Sequence, residues 1–178
     1  MSVRIKNYPH NDLMSLAHHH VTTIREKLEG GREDGIKLDC MSALIAMAFA
    51  AEALINFAGA EKVSAWNERA SYHEKMRRLR RKINISTDPA TQPWLTLVML
   101  KEIRNQLAHG KPSRSTARVK TRSELTAAMA SPWDQYCTPE NVEEAFANVR
   151  EFRRLLFAAA RISLGASFSS ATGGLDAI

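Results

Sequence analysis

Residues 40–60 carry a single charged side chain, Glu52, among apolar and mostly small residues. A segment this apolar either crosses a membrane or forms the buried centre of a globular fold. An acidic residue in the middle of a membrane span costs about 2.5–3.5 kcal/mol, and alanine contributes little to offset that cost. We therefore predict a central core helix over residues 39–57, with Asp39 as its N-cap and Gly59 as its terminator.

The remaining apolar residues recur mainly at i, i+3, i+4 and i+7, which is the spacing of amphipathic helices. Alternating runs typical of strands are missing from the sequence. The sequence predicts an all-α fold, an up-and-down bundle of four to five long helices. We expect one domain over residues 1–162 and a flexible C-terminal tail over residues 163–178. The predicted helices cover residues 11–29, 39–57, 62–83, 94–109, 124–130 and 139–162.

The amino-acid composition indicates the cellular compartment of the protein and the chemical class of its binding partners. The 178 residues include 25 Lys and Arg against 19 Asp and Glu, which gives a formal charge of +6. A basic chain favours polyanionic partners such as nucleic acid. Cys40 and Cys137 lack metal-type spacing, and the N-terminus lacks the apolar region of a secretory signal. We therefore expect a cytoplasmic protein with reduced cysteines and no membrane association.

The segment that follows Pro93 is predicted to be a helix with two chemically distinct faces. One face carries apolar residues at helical spacing, and Gly110 and Pro112 end the segment. Asn105 and His109 are i,i+4 neighbours on the other face. Arg104 lies roughly 140° around the helix from His109. If these two side chains act together, either the last turn is distorted or a second copy of the chain completes the site.

Residues 104–109, Arg-Asn-Gln-Leu-Ala-His, resemble the signature of the HEPN family. That signature is an arginine, a polar residue, three variable residues and a histidine near the end of a helix. Asn105 is the family's usual polar residue, and Ala108 and Gly110 are also typical of it. The motif covers six residues, whereas the helical layout extends a less specific resemblance over residues 10–163.

The resemblance implies a HEPN-like helical domain and a metal-independent endoribonuclease. Many HEPN proteins act on RNA as homodimers in which the Arg and His of both subunits meet at the interface. By this resemblance the catalytic residues are Arg104, Asn105 and His109. Family members of this size are often toxins of toxin–antitoxin or phage-defence systems, so the resemblance also implies a cognate antitoxin.

RNA cleavage of this kind needs neither a metal nor a cofactor. The ribose 2′-hydroxyl is the nucleophile, so the protein supplies a base, an acid and cations for the phosphorane charge. An imidazole exchanges protons near neutral pH, which suits His109 for the acid or base role. The guanidinium of Arg104 matches phosphate geometry, and Asn105 would orient the imidazole or bind phosphate. We expect no metal site.

Further candidates for substrate binding lie on both sides of the motif. The basic run at residues 75–82 supplies Arg77 and Arg81, and Lys101 and Lys111 flank the motif itself. Such a run is either a solvated face or a surface that follows phosphates. Glu52 is also a candidate: either it faces the site and holds Arg104 or Lys101, or it is an ordinary structural partner of a core-edge arginine.

Two other interpretations of the motif remain open. Some HEPN-like domains bind nucleotides, RNA or proteins without cutting anything. In that case Arg104 and His109 serve binding, or His109 caps the helix end near its dipole. The third interpretation is a chance motif in a structural helical bundle. A nuclease predicts a dimer with both His109 side chains in one cleft, and a binding module predicts an occupied or buried motif. A chance motif predicts His109 exposed and far from Arg104 in every copy.

Overall fold

The computed structural model describes residues 3–112 and 114–172, and the described chain is mainly helical, as the sequence predicts. Short 3-10 helices at Asp134–Tyr136 and Gly165–Ser167 and two strands supplement the α-helices. The helices are α1 (Pro9–Glu29), α2 (Ile36–Lys62), α3 (Tyr72–Ile83), α4 (Trp94–Ala108), α5 (Arg122–Ala128) and α6 (Pro139–Ala160). The strands are β1 (Arg4–Lys6) and β2 (Ser170–Thr172).

Helix α2 is the central helix, in agreement with its apolar sequence. It contacts α1, α3, α4 and α6. Its buried side chains include Leu44, Met47, Leu54 and Ile55, whereas Leu38 and Phe49 are exposed. The rest of the fold is therefore arranged around a helix of which one side is partly exposed to solvent.

The predicted ends of α2 were wrong at both termini. The helix begins at Ile36 after Gly35, and Asp39 lies inside its first turn, bonded to Lys27 at 2.7 Å. It continues through Gly59 to Lys62, because Gly59 does not terminate the helix but receives the ring of Trp66. A Cβ atom at position 59 would lie 2.3 Å from that ring. The glycine is required for close packing, not for a turn.

Helix α3 is shorter than the predicted helix over residues 62–83. It begins at Tyr72, where the Ser71 hydroxyl accepts a hydrogen bond from the backbone N–H of Glu74 at 3.3 Å. Asn84 ends it in a left-handed conformation, which asparagine tolerates better than most residues. The residues between α2 and α3 form a loop that carries Trp66 onto Gly59.

Helix α6 begins as predicted. The Thr138 hydroxyl accepts a hydrogen bond from the backbone N–H of Asn141 at 3.3 Å, and Pro139 occupies the first turn. Its buried face includes Val149 and Phe152, both fully buried. The N-terminal signals of α6 are local, which is why the sequence places its start correctly.

A small antiparallel sheet joins the two ends of the described chain, although the sequence lacks the alternating runs typical of strands. Strand β1 pairs with β2, with Arg4 opposite Thr172 and Lys6 opposite Ser170. Ser167, within the predicted flexible tail, is buried, and its carbonyl oxygen accepts a hydrogen bond from Asn11 at 2.9 Å. The last part of that predicted tail, residues 173–178, lies outside the described residues.

Helix α2 also bears on membrane association. It is long and apolar enough to cross a membrane by length and composition, but 56% of its most apolar 18-residue window is buried inside the protein. The core helix of a soluble protein has the same properties. Helix α2 is therefore weak evidence for a membrane span.

His10 is buried at the junction between the small sheet and the helices. Its ring lies 4.8 Å from the ring of Phe57 and 6.3 Å from that of Phe157. Its Nε2 has no hydrogen-bond partner among the described residues. Burial lowers the pKa of His10 below its ordinary value of 6.5, although a hydrogen bond to the Ser167 backbone acts in the opposite direction.

We expect the free energy of unfolding to decrease as the pH falls below 6.5, the value at which the unfolded histidine takes up a proton. Between that pH and the lower pKa of folded His10, the unfolded state binds more protons, so acid favours unfolding. His10→Leu should remove this part of the pH dependence. Urea denaturation at pH 7.5 and 5.5 measures it, with His19→Gln on an exposed position of α1 as control. The same pH dependence in His10→Leu and wild type would contradict the assignment.

Candidate nucleic-acid site around helix α4

Helix α4 is fixed to the core along one face. Leu97, Leu100 and Ile103 are almost fully buried. At its N-terminal end, Trp94 packs edge-on against Phe152 of α6 with ring centroids 5.4 Å apart. This packing determines which of the α4 side chains remain exposed to solvent.

The opposite face of α4 forms a ridge that consists of Leu95, Val98, Glu102, Asn105 and His109, all exposed except Asn105, which is half-buried. These positions fall within about 80° of one another at 100° per residue. Leu95 and Val98 are 48% and 43% exposed, although both are apolar. Two motif residues, Asn105 and His109, therefore lie on one helix face with two exposed apolar side chains.

Arg104 points away from this ridge and forms an ion pair with Glu52. Its Nη2 donates to Oε2 of Glu52 at 2.7 Å. The other carboxylate oxygen, Oε1, accepts a hydrogen bond from Nζ of Lys75 at 2.9 Å. One carboxylate on α2 thus holds one cation from α3 and one from α4. The hypothesis that Glu52 contacts Arg104 agrees with this geometry, whereas Lys101 is not its partner: its ammonium lies 5.7 Å from the centroid of the Tyr72 ring.

Lys75 belongs to the basic run at residues 75–82, for which the sequence predicts either a solvated face or a surface that follows phosphates, and the structure buries it against Glu52 instead. The side chain of Lys75 is only 1% exposed, whereas those of Glu52 and Arg104 are 31% and 26% exposed. A signal was available, since Lys75 lies three residues after Tyr72 and four before Leu79, on the apolar stripe of α3. A lone carboxylate in an apolar helix also requires a cation from a neighbouring element.

His109 is the first residue after α4 and is exposed. Its backbone N–H donates to the carbonyl oxygen of Asn105 at 3.0 Å, so the helix is regular up to its end. No side-chain hydrogen bond of His109 is present among the described residues, and none joins it to Arg104. Gly110 follows because a Cβ atom there would lie 2.8 Å from the carbonyl oxygen of Gln106. One chain alone therefore does not connect the arginine and the histidine of the motif.

Three of the predicted substrate-binding residues meet in one open groove. This basic groove lies between α3, the segment 84–93 and α4, with a volume of about 990 Å³. Arg77, Arg81 and Lys101 line it, together with Arg80, which the sequence analysis did not single out. Lys111 is exposed beyond the end of α4 and does not line the groove.

Comparison with models of known protein families, with curated proteins and with solved structures finds no match to this chain.

We expect Glu52→Ala to destabilise the protein by about 3 kcal/mol, because it leaves the buried Lys75 ammonium without a partner. Arg104→Ala should cost less than about 1 kcal/mol, since Arg104 is partly exposed and Lys75 retains Glu52. The double variant Glu52→Ala/Lys75→Met should recover much of the loss. Urea denaturation of the variants measures these differences. Equal destabilisation by Glu52→Ala and Arg104→Ala would show that Lys75 does not depend on the carboxylate.

Proposed function

We propose that this chain is a metal-independent endoribonuclease of HEPN type that cuts RNA by 2′-hydroxyl attack, at a site formed across a homodimer. The proposal includes the finer fold assignment, a HEPN-like up-and-down bundle to which α1, α2, α3, α4 and α6 belong. One observation carries it: within the sequence Arg-Asn-Gln-Leu-Ala-His, Arg104 is held by a carboxylate while His109 ends the same helix in solvent.

Arg104 is suited to bind the phosphorane. A guanidinium has five N–H donors, and among the described residues Arg104 directs only its Nη2 to a protein acceptor, Glu52. The remaining donors are free to bind phosphate oxygens in pairs. Because Lys75 also bonds to Glu52, the carboxylate does not neutralise Arg104 alone, and the cluster of two cations and one anion keeps a net positive charge.

His109 and Asn105 supply the proton transfer and its orientation. The imidazole of His109 is solvent-exposed, so RNA can reach it without a rearrangement of the core. Asn105 lies one helical turn earlier on the same face and can bind phosphate or orient the substrate. General acid–base catalysis by such a histidine contributes about 10²- to 10⁴-fold to a rate.

A homodimer through the α4 ridge would bring the His109 side chains of two copies together. Leu95 and Val98 give the ridge an apolar part, and Asn105 and His109 continue the same face toward the end of the helix. A two-fold axis places the same ridge of each copy against the other. In that arrangement the Asn105 and His109 side chains of both copies line one cleft, and Arg104 reaches that cleft by turning around α4 away from Glu52.

The biological setting follows from the family resemblance alone. We propose a cytoplasmic enzyme that acts as the toxin of a toxin–antitoxin or phage-defence system and is inhibited by a cognate antitoxin. The alternative is a non-catalytic HEPN-like module that binds nucleotides, RNA or protein. The Glu52–Arg104 ion pair supports that alternative as well, because it also suits a purely structural arginine.

We expect His109→Ala to remain folded and to cut RNA about 10²- to 10⁴-fold more slowly than wild type. The assay uses labelled single-stranded RNA and tRNA in excess EDTA, since the proposed chemistry needs no metal. Wild-type products should end in 2′,3′-cyclic phosphates. His19→Ala, on an exposed position of α1, is the matched control and should cut normally. Wild-type rates in His109→Ala, or loss of wild-type cleavage in EDTA, would contradict the mechanism.

We expect wild type to sediment at about twice the chain mass of 19.9 kDa. Leu95→Asp should give a monomer and abolish cleavage, because it places a buried charge at the proposed interface. The substitution lies in the first turn of α4, where an acidic side chain suits the helix dipole, so the helix itself should remain stable. Leu38→Asp, in the first turn of α2 and 63% exposed against 48% for Leu95, is the control. A monomeric wild type that cuts RNA would rule out the shared site.

A further inference from the structure

The basic groove concentrates positive charge, and among the described residues only Arg77 of its four cations has an acidic partner. Four cationic side chains line it, from Arg77, Arg80, Arg81 and Lys101, and no Asp or Glu lines it in the described part of the chain. Glu74 holds Arg77 through two hydrogen bonds of 2.8 Å on the solvent side of α3. Gathering the other cations in one concave surface is unfavourable unless an anion binds between them.

The other lining residues suit a phosphate-bearing strand rather than a simple ion. Asn84, Ser86 and Thr87 place amide and hydroxyl groups along one wall. Ile85 and Pro89, both in the segment 84–93, add apolar surface away from the α4 ridge. Cations for phosphates, hydroxyls for sugars and apolar surface for base faces are the contacts that single-stranded nucleic acids use.

The basic groove lies next to the motif residues on α4. Lys101 lines the groove, and Asn105 is the next residue along the same side of α4. From Lys101 to His109 the helix rises by about 12 Å. A strand that leaves the groove past Lys101 therefore passes directly to Asn105 and His109.

We infer that the basic groove binds the single-stranded segment of RNA that flanks the scissile phosphate, with Arg80, Arg81 and Lys101 on its phosphates. The position of a scissile phosphate next to the groove rests on the proposed nuclease function. The binding of RNA in the groove does not depend on that function. Single-stranded RNA fits better than duplex, because the apolar wall contacts base faces that a duplex hides. The groove volume of about 990 Å³ accommodates a short stretch of one strand.

The test measures binding of a fluorescein-labelled 12-nucleotide single-stranded RNA to His109→Ala, which leaves the probe intact. Adding Arg80→Ala and Arg81→Ala should weaken binding about tenfold at 0.1 M salt and lower the salt slope by about 1.4, since each phosphate contact on a single strand contributes about 0.7. Both side chains are exposed, so the fold should not change. A duplex of the same sequence should bind more weakly than the single strand.

The matched control removes two exposed cations far along the chain from the groove, by Lys6→Ala and Arg32→Ala. It should change the affinity less than twofold. Equal losses in the two double variants, or tighter binding of the duplex, would overturn the inference.

The groove and the nuclease can fail separately. If Arg80→Ala/Arg81→Ala binds and cuts like wild type, the groove assignment is wrong and the nuclease proposal stands. If the protein with native His109 does not cut but the groove variant loses binding, the nuclease proposal is wrong and the groove is confirmed as a binding site.

Discussion

The carboxylate of Glu52 is the interaction on which the arrangement of three helices depends. It is the one acidic side chain in the most apolar stretch of the chain, and it is the anion that pairs with Lys75, whose burial without a partner would be costly. Its two oxygens bond to Lys75 and Arg104, on two different helices. The positions of α3 and α4 against α2 are therefore set by charge as well as by apolar packing.

This constraint divides α4 into parts with different roles. Its buried face and Arg104 point toward the bundle, while Asn105 and His109 remain on the ridge. On its other flank, Lys101 borders the basic groove. One side of α4 therefore packs on the core, a second is the proposed dimer interface, and a third borders the basic groove. This concentration explains why the motif segment is the most informative part of the sequence for function.

The sequence predicted features that depend on local signals or on a single strong requirement. They include the helical class, the central position of α2 and the start of α6 at Thr138 and Pro139. For Glu52 the sequence left open whether its partner is Arg104, Lys101 or another arginine, and the structure pairs it with Arg104 and Lys75. The sequence-based prediction was wrong where residues distant in the chain pack together. Gly59 lies inside α2, where the absence of a side chain makes room for the ring of Trp66. The small sheet depends on pairing between the two ends of the described chain, which no local pattern reveals. The burial of Lys75 follows from its position on the apolar stripe of α3, between Tyr72 and Leu79, and not from its charge.

Arg104 and His109 are separated on α4, and the two proposed functions therefore differ in how many chains they need: a nuclease site needs two copies, and a binding module needs one. Arg104 is held on the side of α4 that faces Glu52, and turning it toward His109 would break that ion pair. A regular helix keeps the two residues about 140° apart. Chemistry that needs both groups at one phosphate therefore needs a second copy of the chain, whereas a binding module uses the groove and Arg104 as they stand. A shared site also makes activity depend on protein concentration below the dimer dissociation constant, as association equilibria require.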